Sequence, residues 1–242
     1  MRSRYPSASS FSYSFGPGPV TPAIKILIAV NVVAFVASFF APAIVRTLGL
    51  LPAAVVHGAV WQLVTYMFLH QGPMHLLFNM LTLWMFGVEL ERMWGTVYFT
   101  KFYFLTGIVA GLTQMAVALV APQFNATTIG ASGAIFGVLM AYAIYFPHRP
   151  ILMFMIFPLP ARTFVMIMGA LELFAALNGP GGVANTAHLG GMAAGYVYLK
   201  GLRFHLLSEI QYRYLKWRIN RSRRRFDIYQ GGRADDVDRR VH

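Results

Sequence analysis

The stretch GASGAIFGVLMAYAIYFP, residues 130–147, opens on small residues, closes on a proline and contains no Asp, Glu, Lys or Arg. It reads as a short, wholly apolar helix beginning near Ser132, with Gly133, Gly137 and Ala141 at intervals of four. That spacing lets two membrane helices approach closely. Working outward, the charge-free run around it extends from 102 to 148. Two further runs, 26–45 and 47–88, carry no charge, and 163–199 holds only Glu172. About 20 apolar residues suffice to cross a bilayer, so the longer runs must fold back on themselves. Over the 242 residues, 57% are hydrophobic and 12% charged, whereas about a quarter of an ordinary soluble domain is charged. The chain is therefore read as a membrane protein.

The expected fold is an all-α polytopic bundle of six transmembrane helices, over 24–41, 74–93, 98–120, 132–147, 162–178 and 185–202. Breakers fall between these spans: Pro42 and Pro52, Gly72-Pro73, Gly95, Pro122, Pro147 and Pro150, Pro158 and Pro160, and the run 178–182 (Asn-Gly-Pro-Gly-Gly). No repeat of fixed period is apparent. Residues 1–22 read as a disordered cytoplasmic tail, 23–202 as one six-helix domain and 203–242 as a basic cytoplasmic tail. The leader is long, Ser-rich and interrupted by prolines, unlike a cleavable signal peptide.

With six spans both termini share a side, and nineteen of the twenty Lys and Arg residues fall on it; only Arg46 lies opposite. The positive-inside rule makes that side cytoplasmic and places the 42–73 connection outside; the membrane expected is the cell membrane. The net charge of +12 thus follows topology and does not imply a nucleic-acid partner. Leu206, Ile210, Tyr214 and Trp217 recur at near-helical spacing among the basic residues of the tail. It reads either as an amphipathic helix on anionic lipid or as a plain topology-fixing tail.

Polar residues inside spans are costly and therefore informative. His75, Asn79, Gln114, Ser132, Glu172 and His188 stand out. In the alternating topology His75 and Asn79 begin span two, Ser132 begins span four and His188 begins span six, all at similar depth near the outer leaflet. A serine becomes a strong nucleophile when a base takes its proton, and His188 is the imidazole available at that depth. Taken alone, Gly130-Ala131-Ser132-Gly133 fits small packing or a helix cap equally well. Ala187, Gly191 and Gly195 supply a second small-residue stripe, however, and facing stripes would bring Ser132 and His188 within hydrogen-bonding reach. His75 and Asn79, four apart on one face, can both donate to an oxyanion beside the Ser132 N–H. His70 and Gln71 read as loop or supporting residues, and His57 as an exposed loop residue.

Other chemistries are excluded by composition. There is no cysteine, hence no disulfide, thiolate nucleophile or zinc-thiolate site. All four Asp residues lie at 227 or later, which removes a membrane aspartyl dyad. No H-E-x-x-H motif is present, and no metal or cofactor is expected. The nucleophile elbow G-x-S-x-G fails because residue 134 is Ala. Glu172, in span five, is kept outside the site as a locally paired or water-facing residue.

In order along the chain, Trp61 in the external loop, His75-Leu76-Leu77-Phe78-Asn79, Glu91-x-x-x-Gly95, Gly130-Ala131-Ser132-Gly133 and Ala187-His188-x-x-Gly191-x-x-x-Gly195 resemble a rhomboid intramembrane serine protease over roughly 24–202. The resemblance implies Ser132 as nucleophile, His188 as general base in a dyad without an acidic third member, and an oxyanion hole from His75, Asn79 and the Ser132 N–H. It implies an external loop lying partly in the outer leaflet. Substrates would be single-span membrane proteins cut near the outer boundary, with small residues before the cut, admitted by movement of span five and the cap loop. Two positions depart from the family pattern: Gln62 follows Trp61 where Arg is common, and Phe136 stands where Tyr often packs under the histidine. Phe136 retains the ring to stack on His188. The competing expectations are an inactive rhomboid-like protein that binds transmembrane clients and, less in keeping with the scarcity of paired intramembrane charges, a small transporter. The oligomeric state is not specified.

Overall fold

A computed structural model describes residues 16–153, 157–178, 182–201 and 216. The tail readings for residues before 16 and for most of those beyond 201 lie outside these. Up to Leu199 the chain forms one compact unit, and a second begins at Lys200. The main helices are α1 (Pro22–Phe40), then, after the short helices α2 (Ala43–Leu48), α3 (Pro52–Val56) and α4 (Gln62–Thr65), α5 (Pro73–Trp94), α6 (Thr96–Val120), α7 (Ser132–Tyr145), α8 (Ala161–Asn178) and α9 (Gly182–Lys200). Pro22, Pro52 and Pro73 each occupy a first helical position, where a missing N–H costs nothing and the fixed φ suits the helix.

Among the described residues, three helices are long and apolar enough to cross a membrane: Pro22–Phe40, Thr96–Val120 and Ala161–Asn178. α7 is apolar but shorter. α5 is polar at one end, where Glu89, Glu91 and Arg92 sit. α7 forms the centre, with ten of its fourteen residues buried, as expected of a helix that is apolar all round. α8 is the opposite case, since only Ala161 and Val165 are buried among its eighteen residues.

Glu91, buried in α5, ties three helices together. Its carboxylate accepts from the Ala23 N–H at 2.9 Å, the Ile24 N–H at 3.1 Å, the Thr96 hydroxyl at 2.7 Å and the Thr21 hydroxyl. The negative charge thus meets the unpaired N–H groups and positive dipole end of α1, which offsets the cost of burying it.

The connection between α1 and α5 is pinned by side chains rather than by regular sheet. Gln62 anchors the loop from a buried position. Its Oε1 accepts from the Leu51 N–H at 2.9 Å and its Nε2 donates to the Thr47 carbonyl at 3.2 Å. Trp61 Nε1 reaches the same Thr47 carbonyl at 3.0 Å, and the Thr65 hydroxyl donates to the Leu48 carbonyl at 2.6 Å. Leu50 and Thr128 exchange backbone hydrogen bonds of 3.0 and 2.8 Å, fastening the loop to the segment before Ser132.

The all-α expectation needs one correction. The connection between α7 and α8, read from its prolines as a plain break, contains an antiparallel hairpin of β1 (Pro150–Met153) and β2 (Phe157–Pro160). Pro150 pairs with Pro160 and Met153 with Phe157. An isolated two-stranded ribbon tolerates proline because both strands are edges whose outward N–H groups are not needed. With no polar alternation in this apolar run, the strand period is hidden in the sequence.

Candidate active site

Ser132 is the first residue of α7, delivered by a backbone that only glycine adopts comfortably. Gly130 has φ +131°, and its N–H donates to the Tyr66 carbonyl at 2.9 Å. A Cβ at Gly130 would lie 3.0 Å from the His75 ring and 3.4 Å from Ser132 Oγ, so His75 and the hydroxyl both flank this glycine. Tyr66, which the sequence did not single out, is buried and donates its own hydroxyl to the Gly107 carbonyl at 2.7 Å. It thereby sets the turn into α7 from beneath.

The Ser132 hydroxyl lies 2.7 Å from His188 Nε2. Helices α7 and α9 approach through their small residues: a Cβ at Gly191 would run into the Gly133 carbonyl, and one at Gly195 would lie 2.9 Å from the Gly137 carbonyl. This is backbone-to-backbone packing, which larger residues at those positions would prevent. On its other side Gly137 accommodates Thr106 of α6. Phe136, one turn into α7, stacks on the imidazole with centroids 4.5 Å apart and planes 12° from parallel. The ring is held without the hydroxyl of a tyrosine.

Glu172 departs from the sequence reading. Its Oε2 lies 2.9 Å from His188 Nδ1 and also accepts from Asn185 Nδ2 at 2.6 Å. An ionised carboxylate only accepts, so the neutral imidazole carries its proton on Nδ1 and turns the Nε2 lone pair toward Ser132. The signal for Glu172 in the sequence is its solitude, as the one charged residue in 163–199. Its partner lies on another helix, sixteen residues away.

Asn79 is buried on α5, one turn beyond His75, and its Nδ2 donates to no group among the described residues. The Gln71 N–H faces His75 Nδ1 at 3.4 Å, and the His70 ring meets the His75 ring edge-on at 5.0 Å. His70 sits in the loop, buried. Burial, with His75 nearby, brings its pKa from 6.5 down to about 4. His57 is exposed beside the Ala53 carbonyl, far along the loop. Gln114 belongs to the packing between α6 and α9, where it pairs with Thr186 and donates to the Phe124 carbonyl at 2.8 Å. A hydroxyl, an imidazole and a carboxylate in one line, with His75 flanking the hydroxyl, form an arrangement suited to nucleophilic attack on a carbonyl.

Residues 57–203, more than half of the chain, match the Rhomboid domain. The chain belongs to the rhomboid family. Rhomboid protein 1, mitochondrial, of Saccharomyces cerevisiae is 37% identical over 139 residues, covering 54% of this chain and 38% of that protein. RHOMBOID-like protein 4 of Arabidopsis thaliana is 33% identical over 175 residues, covering 71% and 41%. Rhomboid protease GluP of Bacillus subtilis is 33% identical over 146 residues, covering 59% and 26%. This rhomboid chain therefore matches well under two thirds of the length of each relative. Family and apolar helices together make it a membrane protein.

Proposed function

We propose that this rhomboid is an intramembrane serine protease that hydrolyses peptide bonds of single-span membrane proteins near the outer boundary of the bilayer. The observation that carries the reading is the 2.7 Å contact between Ser132 Oγ and His188 Nε2 within a rhomboid domain. Ser132 Oγ attacks the scissile carbonyl carbon as His188 Nε2 takes its proton. The resulting oxyanion is received by the Ser132 N–H at the positive end of α7, with His75 and the buried Asn79 amide as further donors. His188 returns the proton to the leaving amine, and an ester to Ser132 remains. Water, deprotonated by His188, attacks the ester carbonyl and releases the carboxylate product and the free serine.

The fourteen residues of α7 span about 21 Å, well short of an apolar core of about 30 Å, which supports a nucleophile sunk below the outer surface within reach of water. In this reading residues 23–202 form one six-span domain with both termini cytoplasmic, supported by the one-sided Lys and Arg distribution. The membrane of this reading is the cell membrane. The yeast relative is named as mitochondrial, so fractionation of the native host tests that assignment separately.

Purified protein in detergent or liposomes should cleave a model single-span substrate and label at Ser132 with a fluorophosphonate. Ser132→Ala should lower cleavage by at least about 10⁴-fold and abolish labelling. Cleavage that persists in the purified Ser132→Ala protein refutes the assignment. An inactive client-binding rhomboid would hold the substrate and remain unlabelled.

A further inference from the structure

We propose that Glu172 is a positioning residue for the reaction, acting through His188 by holding Nδ1 while Nε2 serves Ser132. The inference rests on the serine-protease reading above. The imidazole is contacted at both nitrogens: Nε2 by the Ser132 hydroxyl at 2.7 Å and Nδ1 by Glu172 Oε2 at 2.9 Å. The side chains of His188 and Glu172 are only 16% and 13% exposed, so water competes weakly for the contact.

The acid is itself held in place. Asn185 lies three residues before His188 on α9, hence on the same face, and donates to the same carboxylate oxygen at 2.6 Å. One turn of α9 therefore presents an amide that fixes the carboxylate and an imidazole that uses it. Phe136 restrains tilting of the ring through stacking, but a stacked ring can still rotate in its own plane. The Nδ1 contact removes that rotation and selects the tautomer whose Nε2 accepts the serine proton. When Nε2 is protonated, the carboxylate faces an imidazolium across a hydrogen bond, stabilising the charge formed in the attack. Asn185 and Ser132 are polar groups bonded to this pair among the described residues, and His75 flanks Ser132 from α5.

The test compares wild-type protein with Glu172→Gln, Glu172→Ala and Glu172→Asp in detergent. Active sites are counted by fluorophosphonate titration so that misfolded molecules do not enter kcat, and thermal melting checks folding. Glu172→Gln preserves shape and removes charge. It should lower kcat per titrated site at least tenfold, leave KM within twofold, and move the acidic limb of the pH–rate profile to lower pH. Glu172→Ala should be at least as impaired, and Glu172→Asp intermediate. A merely structural carboxylate would change melting temperature and site count but not the pH profile or kcat per site. Wild-type kcat and an unchanged profile in Glu172→Gln and Glu172→Ala overturn the proposal while leaving Ser132 and His188 in their roles. A wild-type protein that neither cleaves nor labels overturns the serine-protease reading itself.

Discussion

Replacing Gly191 by alanine should do more damage than its single added methyl group suggests. The new Cβ would fall on the Gly133 carbonyl oxygen, and neither atom belongs to a side chain that can turn away. A carbon and a carbonyl oxygen rest at about 3.3–3.6 Å, so α7 and α9 must separate by more than about 1 Å at this point. Ser132 and His188 neighbour that contact, and their 2.7 Å hydrogen bond would pass beyond the useful limit of about 3.2 Å. Overpacking of this kind costs about 1–3 kcal/mol, and each kcal/mol lowers Tm by about 2–4 °C in a chain of this size. An ångström of misplacement at reacting groups costs about 10²-fold in rate. Gly195→Ala, whose Cβ would lie 2.9 Å from the Gly137 carbonyl, needs a smaller shift and should show a smaller loss of both. Gly72→Ala, which meets nothing within 4 Å, should change stability by less than about 0.5 kcal/mol. The assays are thermal melting in detergent and kcat on a single-span model substrate. A Gly191→Ala protein with wild-type Tm and kcat would refute the claim that main-chain contact sets the catalytic distance.

Removing the ring beneath the imidazole in Phe136→Ala should lower kcat and leave KM nearly unchanged, whereas Phe136→Tyr should retain activity; steady-state kinetics distinguish these outcomes. Gln62→Ala strands the Leu51 N–H and leaves the Thr47 carbonyl with Trp61 Nε1 as its donor, and melting should register a loss of about 1–3 kcal/mol. For His70 the sign follows from burial, which favours the neutral ring in the folded chain. The folded pKa near 4 lies below the unfolded 6.5, so stability is full above pH 6.5 and declines as pH falls from 6.5 toward 4. His70→Gln should flatten that part of the stability profile, and equal slopes in both proteins would contradict the assignment.

Charge gaps and prolines made the helices legible, because a bilayer forbids charges and an unpaired backbone over long stretches. The rarity of polar residues inside those stretches made Ser132, His188, His75 and Asn79 stand out for the same reason. The hairpin at Pro150–Pro160 stayed hidden, since its apolar, proline-rich strands show no alternation. Glu172 could be noticed but not placed: which way a carboxylate on one helix points relative to an imidazole on the next depends on helix rotation, and local spacing does not encode that. Tyr66 was invisible among the twelve tyrosines because its part is played by position, beneath the turn at Gly130.

The two ends of the imidazole stand on supports of unequal stiffness. Its serine side is borne by two helices locked glycine against glycine, with little slack for thermal drift. Its carboxylate side rides on α8, where just two of the eighteen residues are buried. A change in the thickness or fluidity of the surrounding lipid would thus reach Glu172 well before it reached Ser132. The bilayer would in this way have a handle on His188 that largely spares Ser132.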